Sequence, residues 1–263
     1  MKGSFYVNCG AFYHGVDPAR EPSSQHPALT APNKWPDDDV LPGFRDTFEH
    51  LCVLILDIAV LVARACDKFA KVHVDDYEPC YLEKVVKQSK TTKARLLHYF
   101  PSDHADTEVS EDDSWCATHI DHGCLTGLTS AMYIDEAEHP SCRPRITNAE
   151  PLPILPSLPE APDPSAGLYI YSRDSSLVKI SIPPDCLAFQ TGEALQLITQ
   201  GNFKAVPHYV KATTRLPRGM KVARNTLAVF TQPNLNDIVD VQSGQTFGGL
   251  SKEVMERFAM KQA

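Results

Sequence analysis

From Ala94 onward the chain breaks into short apolar runs divided by turn residues, and no other feature limits its fold as strongly. Runs rich in Val, Ile, Leu, Tyr and Thr between Gly, Pro, Asn and Ser are strand-like. The expected strands are Arg95–Tyr99, Cys116–Ile120, Leu125–Tyr133, Leu168–Tyr171, Leu177–Ile180, Leu187–Gln190, Ala194–Thr199, Lys204–Ala212 and Lys221–Thr231. Gly201-Asn202 reads as the turn of a hairpin whose second strand carries His208. Strands this dense leave no room for the helix that each parallel crossover needs. A mainly β fold with flanking helices is therefore expected, a sandwich or a jelly roll.

Upstream the texture differs. The first forty-odd residues are rich in Pro, Gly and polar residues, which predicts an irregular arm ending at Trp35-Pro36 and Leu41-Pro42-Gly43. From Phe44 to about Lys71 apolar residues recur at helical spacing, as in Phe48, Leu51, Cys52, Ile55 and Ile58. A shorter helix is expected from Tyr77 to about Lys87, and a further amphipathic one over Ser251–Lys261. Residues 135–166 are Pro-rich and lack periodicity, so they read as a solvated insertion between strands, with a lid or a partner-binding loop near the metal as the functional alternative. The resulting division is arm and scaffold helices in 1–92, a β core in 93–233, and a tail packing on the core in 234–263.

The formal net charge of −8 and the absence of a Lys/Arg cluster exclude a polyanion partner, so no nucleic acid is expected. The longest apolar stretch, Leu51 to Val62, contains Asp57 and is too short to span a bilayer, and no signal-like run opens the chain. Eight scattered cysteines without a C-x-x-C pair suit free thiols in a reducing, cytoplasmic setting.

His119-Ile120-Asp121 carries the chemistry. Side chains two apart on an extended segment share a face, so this imidazole and carboxylate can reach one metal ion. A second imidazole from His208, on a distant strand, completes a two-His-one-carboxylate set that suits non-haem Fe(II), with positions left open for a co-substrate and O₂. Downstream, Arg224 and Thr226 also lie two apart on an expected strand. A guanidinium set among Val222, Leu227, Val229 and Phe230 needs an anionic partner, and its planar fork matches a carboxylate such as the far end of a 2-oxo acid. An internal Asp or Glu is the structural alternative. His122 is expected to point away from the pair, and His14, His26, His50, His73, His104 and His139 have no ligand partner in sequence. Phosphate-loop, dinucleotide, G-x-S-x-G and H-E-x-x-H signatures are missing.

The chain resembles the isopenicillin-N-synthase-like branch of the Fe(II)/2-oxoglutarate-dependent dioxygenases. Carrying the likeness are ARLLHYFP (94–101), THIDHGCLTGL (118–128), GLYI (167–170), IPPDCLAFQTGEA (182–194), NFKAVPHYV (202–210) and RNTLAVFTQP (224–233). The resemblance implies a double-stranded β-helix, iron ligands His119, Asp121 and His208, and an Arg224/Thr226 pair holding 2-oxoglutarate. It also brings departures. Phe100 stands where the family has a second Tyr, which predicts one hydrogen bond fewer to the co-substrate. The insert lengthens the gap between Asp121 and the distal histidine. The family's usual N-terminal α/β segment is lacking, which predicts an uncovered sheet edge near the long helix and self-association through it.

The function read from these residues is an oxygenase using Fe(II), 2-oxoglutarate and O₂ on a small organic substrate, with no catalytic group assigned beyond the metal ligands. Hydroxylation, desaturation and ring closure all stay open. So do a same-fold oxidase that uses no 2-oxo acid and a non-catalytic jelly-roll binding module.

Overall fold

The computed structural model describes residues 2–15, 31–101, 114–138 and 154–262, with side chains as far as Arg257. His26, His104, His139, Cys142 and most of the Pro-rich insert lie outside the described residues.

Two antiparallel sheets face each other. The larger is built from β1 (Lys2–Asn8), β2 (Lys93–Tyr99), β4 (Leu125–Thr129), β5 (Met132–Asp135), β6 (Ser157–Leu158), β9 (Leu187–Thr191) and β11 (Val222–Thr231). Its main path runs β1-β2-β11-β4-β9, with β5 on β11 and β6 on β5. The smaller has the order β3-β10-β7-β8, from β3 (Ser114–His119), β10 (His208–Lys211), β7 (Gly167–Tyr171) and β8 (Leu177–Ile180). Leu97, Tyr99, Trp115, Leu168, Val210 and Ala228 fill the space between them. β12 (Ile238–Asp240) and β13 (Gln245–Thr246) form a separate ribbon.

The other face of the large sheet lies under the long helix. After one turn, α1 (Gly10–Tyr13), comes α2 (Phe44–His73), which opens from Gly43 at φ 69° and ends with Lys71 and His73 beside its C-terminal carbonyls. Phe48, Cys52, Ile55 and Leu56 of α2 pack on Val7, Ala94, Leu227 and Val229. The approach is close enough that a Cβ on Gly127 would meet Ile55 at 2.5 Å. Both faces of β11 are therefore covered, and its burial shows no alternation.

The first forty residues are not wholly irregular. Residues 2–8 alternate polar and apolar, and β1 pairs with the whole of β2, from Lys2 opposite Tyr99 to Asn8 opposite Lys93. Phe5 and Val7 point to the helix side, where Phe5 meets Trp35, Phe44 and Phe48 with ring centroids 5.5–6.0 Å apart. Where an uncovered sheet edge is expected near the long helix, β1 occupies the edge of β2 and, with Lys2, Ser4 and Tyr6 exposed, ends the sheet among the described residues.

Three further expectations change. Ala194–Thr199 is not a strand but part of helix α4 (Glu193–Ile198), whose buried Ala194, Leu195 and Ile198 follow helical spacing. Gly201 at φ 80° gives its N–H to the Gln196 carbonyl at 2.7 Å, so Gly201-Asn202 closes a helix instead of turning a hairpin. The run Leu125–Tyr133 is two strands. Leu128 faces Ala228 and Met132 faces Asn225, so four steps on one side meet three on β11, a one-residue bulge at Ser130-Ala131.

Helix α3 (Tyr81–Gln88) begins four residues later than expected, because Asp76 and Cys80 both adopt positive φ. The buried Asp67 carboxylate accepts from the Leu82 and Glu83 amides and from Tyr77 Oη. The described end of the Pro-rich insert is largely exposed, as at Ile154, Pro159 and Glu160, but it is tied to the core at two points. Ser157–Leu158 pairs with β5, and Asp163 is fully buried. Helix α5 (Phe247–Gln262) closes the chain, with Phe247 and Leu250 in the core beside α3 and α4. No helix among the described residues is long and apolar enough to cross a membrane.

Candidate metal centre

His119, at the end of β3, lies directly opposite His208 at the start of β10, and their ring centroids are 4.2 Å apart. Asp121 follows β3 in a loop and brings Oδ1 to 3.9 Å from His119 Nε2. One ligand atom from each of the three lies within 4.8 Å of the others. His122 stacks on Phe247 instead of joining them.

Tight backbone packing holds the Asp121–Cys124 loop. The carbonyl of Asp121 accepts the Glu193 amide at 2.7 Å, that of Gly123 accepts Ala194 N–H at 3.1 Å, and that of Cys124 accepts Gly192 N–H at 2.9 Å. Gly192 is required by this approach. A Cβ there would collide with the Gly123 carbonyl and lie 2.9 Å from that of Asp121.

The ligand atoms are selected by their neighbours. His119 Nδ1 is 2.8 Å from the Ala117 carbonyl, and His208 Nδ1 is 3.0 Å from the Val206 carbonyl. Each Nδ1–H donates to its carbonyl, which leaves both Nε2 lone pairs for a metal. Thr126 Oγ1 donates to Asp121 Oδ2 at 2.6 Å, and Gln190 Nε2 donates to the same oxygen at 3.1 Å. Oδ1 is left for ligation. Gln190 Nε2 also lies 2.8 Å from His208 Nδ1 and 3.2 Å from Nε2, and without a metal it can share the Nε2 lone pair that ligation would take. The cross-strand register sets Thr126 opposite Gln190 and opposite Phe230 on the inner face of the large sheet.

Burial lowers the His208 pKa, and the neighbouring His119 charge adds to this against the pull of Asp121. For His119 burial also acts downward, but Cys116, the Ala117 carbonyl and Asp121 outweigh it and raise the value. Cys116 is brought down to about 7: burial opposes the change, and His119 and Lys2 Nζ, 3.3 Å from the sulfur, drive it.

These residues line a cavity of about 1080 Å³ that also contains Arg224 and Thr226. Arg224 is buried, and its Nε and Nη1 find no hydrogen-bond partner among the described residues. Its guanidinium carbon lies 5.4 Å from the ring centre of Tyr99, its cross-strand neighbour. Thr226 Oγ1 donates to the Thr129 carbonyl at 3.3 Å. Phe100, the position expected to cost the co-substrate a hydrogen bond, does not line the cavity. Phe100 turns to the other side, against Gly3 and His98, and Tyr99 brings its phenol to the cavity. Burial pushes that phenol up to about 12, so it is a neutral donor.

The donors fit a divalent first-row metal, two neutral imidazole nitrogens and one carboxylate oxygen on one side of the ion. The orphaned guanidinium N–H groups fit a carboxylate. Thr126, Gln190 and Tyr99 were not found from the sequence. Their signal is two-residue alternation on strands whose pairing the sequence leaves open.

No protein-family model matches the chain. Over 56 residues, 20% of the chain, it is 46% identical to gibberellin 2-beta-dioxygenase 2 of Arabidopsis thaliana, a match that takes in 16% of the plant protein. A Caulobacter crescentus protein described as a member of the 2OG-Fe(II) oxygenase family superposes with a TM-score of 0.61 at 18% identity, over 97% of this chain and 70% of its own. A Neurospora crassa protein solved in complex with alpha-KG gives 0.59 at 17% identity, over 93% of this chain. The chain spans 58% of that fungal protein. Likeness at this level of identity carries the architecture: the protein has the double-stranded β-helix fold of the 2OG-Fe(II) oxygenases.

Proposed function

We propose that the protein is a mononuclear non-haem Fe(II)- and 2-oxoglutarate-dependent oxygenase that oxidises a small organic molecule. One observation carries the reading. A two-His-one-carboxylate cluster and a buried arginine with unpartnered N–H groups line the same cavity.

In this reading His119 Nε2, His208 Nε2 and Asp121 Oδ1 would hold the metal. Fe(II) with 2-oxoglutarate supplies the capacity to reduce O₂ and oxidise an unactivated C–H bond. The remaining work falls to the protein. Val206 and Ala117 fix the imidazole tautomers through their carbonyls, and Thr126 and Gln190 orient the carboxylate. Arg224 would take the far carboxylate of the co-substrate in a bidentate pair, its guanidinium supported on the Tyr99 ring. Leu97, Leu128 and Ala228 give this part of the cavity an apolar wall, which limits water at the reacting centre.

Anaerobic titration with Fe(II) and then 2-oxoglutarate tests the proposal. A metal-to-ligand charge-transfer band should develop with one equivalent of each, and admission of O₂ should convert 2-oxoglutarate to succinate. Protein that binds Fe(II) and 2-oxoglutarate yet yields no succinate in air would favour the non-catalytic module, and O₂ uptake independent of 2-oxoglutarate would favour the oxidase.

A further inference from the structure

The cavity is larger than a five-carbon diacid needs, and a second arginine lines it. Arg95 stands on β2 with its side chain on the same face as Tyr99, since the two are four residues apart on one strand. Across the sheet it faces Ala228, beyond which lies Leu128. A small side chain thus neighbours the Arg95 stem on the side away from β1. Arg95 is half-buried, and its contacts are neutral. Nε and Nη2 donate to Ser4 Oγ at 3.0 and 2.8 Å, and the guanidinium lies 4.9 Å from the Tyr6 ring centre. No carboxylate among the described residues pairs with it, and Nη1 has no protein partner there.

Charge accounting makes this cation informative. In the proposed site the two charges of Fe(II) are offset by Asp121 and by one carboxylate of 2-oxoglutarate, and Arg224 is offset by the other. Arg95 is left over. Its level on the sheet is four residues from that of Arg224, so the two stems rise roughly 13 Å apart. A single diacid bound to the metal and to Arg224 does not also serve Arg95. Lys179, the other cation lining the cavity, gives its ammonium to the Pro164 carbonyl.

We infer that Arg95, held by Ser4 and Tyr6, anchors the primary substrate through a single carboxylate, so that the site takes a small monocarboxylic acid with an apolar body. The inference deepens the oxygenase reading and rests on it. The apolar body has a matching surface in Leu128 and Phe230 of the large sheet and Ile180 of the small one, which lie between the sheets and line the same cavity.

The test uses the full chain with Fe(II) and 2-oxoglutarate without oxygen, probed with octanoate and 4-phenylbutyrate, each beside its primary amide. Calorimetry reads binding of the probes, and the charge-transfer band reads the metal and co-substrate independently. The acids should bind about tenfold or more tightly than the amides, the worth of one charge-assisted hydrogen-bond pair. Arg95→Gln should abolish that preference and leave the Fe(II) and 2-oxoglutarate titrations unchanged, and Arg95→Lys should keep part of it. Equal binding of acid and amide by the wild type, or binding of neither at millimolar concentration, overturns the inference without needing any variant to fold. An Arg95→Gln protein that loses 2-oxoglutarate as strongly as the acid also overturns it, by making Arg95 a co-substrate group. Loss of the band alone, with the acid preference intact, would count against the oxygenase reading and not against the anion anchor.

Discussion

Gln190 reaches across from β9 to place its amide nitrogen 3.1 Å from Asp121 Oδ2, on a carboxylate that sequence alone sets sixty-nine residues away. The same nitrogen lies 3.2 Å from His208 Nε2. A single buried amide therefore spaces two of the three candidate ligands, and Thr126 fixes the shared carboxylate from the neighbouring strand.

Gln190→Ala should accordingly weaken Fe(II) binding by about 10- to 100-fold, the usual effect of removing a group that orients a ligand. The metal-free protein should melt within a few degrees of wild type. Equilibrium dialysis of Fe(II), or of Co(II) as an air-stable substitute, measures the first quantity. Unchanged affinity would make Gln190 a packing residue only.

Gly192→Ala should be costly for a steric reason, because the added Cβ meets the carbonyls of Gly123 and Asp121 and the backbone there cannot yield without moving the ligand loop. A destabilisation of about 1–3 kcal/mol is expected, in the range of overpacked sites. Urea unfolding checks the magnitude. Metal affinity should fall with it, because the collision falls on the loop that carries Asp121.

Arg224→Ala should raise the 2-oxoglutarate dissociation constant by roughly 30-fold to 5000-fold, as truncating one side of a buried charge pair costs about 2–5 kcal/mol. Fe(II) affinity without co-substrate should barely change. Parallel titrations separate the two, and equal loss of both, or loss of neither, would mean that the guanidinium is structural.

Asp163 offers a test of how the end of the insert is tied to the core. Burial alone would raise its carboxyl, but the amides of Thr214, Ser165 and Arg215 and the Ser165 hydroxyl outweigh this and hold it below its ordinary value. A carboxyl lowered in the fold stabilises above its unfolded pKa of about 3.9, and that contribution disappears as pH falls through the folded value. Asp163→Asn should therefore cost about 1–3 kcal/mol at pH 7 and progressively less below pH of about 4. A wild-type-to-variant gap that stays constant between pH 7 and pH 3 would refute this assignment.

Local pattern in the sequence determined the long helix, since the apolar spacing from Phe44 to Phe69 repeats with the helical turn and needs no distant partner. It also determined most of the β runs, and it singled out His119, Asp121, His208, Arg224 and Thr226, which share one cavity. The misreadings came where a local signal had two meanings. Ala194–Thr199 is apolar enough for a strand, and its helical form is set by Gly192 and Gly201 at its ends and by docking on the Asp121 loop. β1 was hidden in a polar, Gly-containing opening, and only the free edge of β2 makes residues 2–8 a strand. Tertiary structure alone decided that Thr126, Gln190, Tyr99 and Arg95 face the cavity. Each lies on a strand whose two faces are both covered, so alternation by itself does not tell inside from outside. Cross-strand register makes that choice, and register is a relation between segments far apart in the chain.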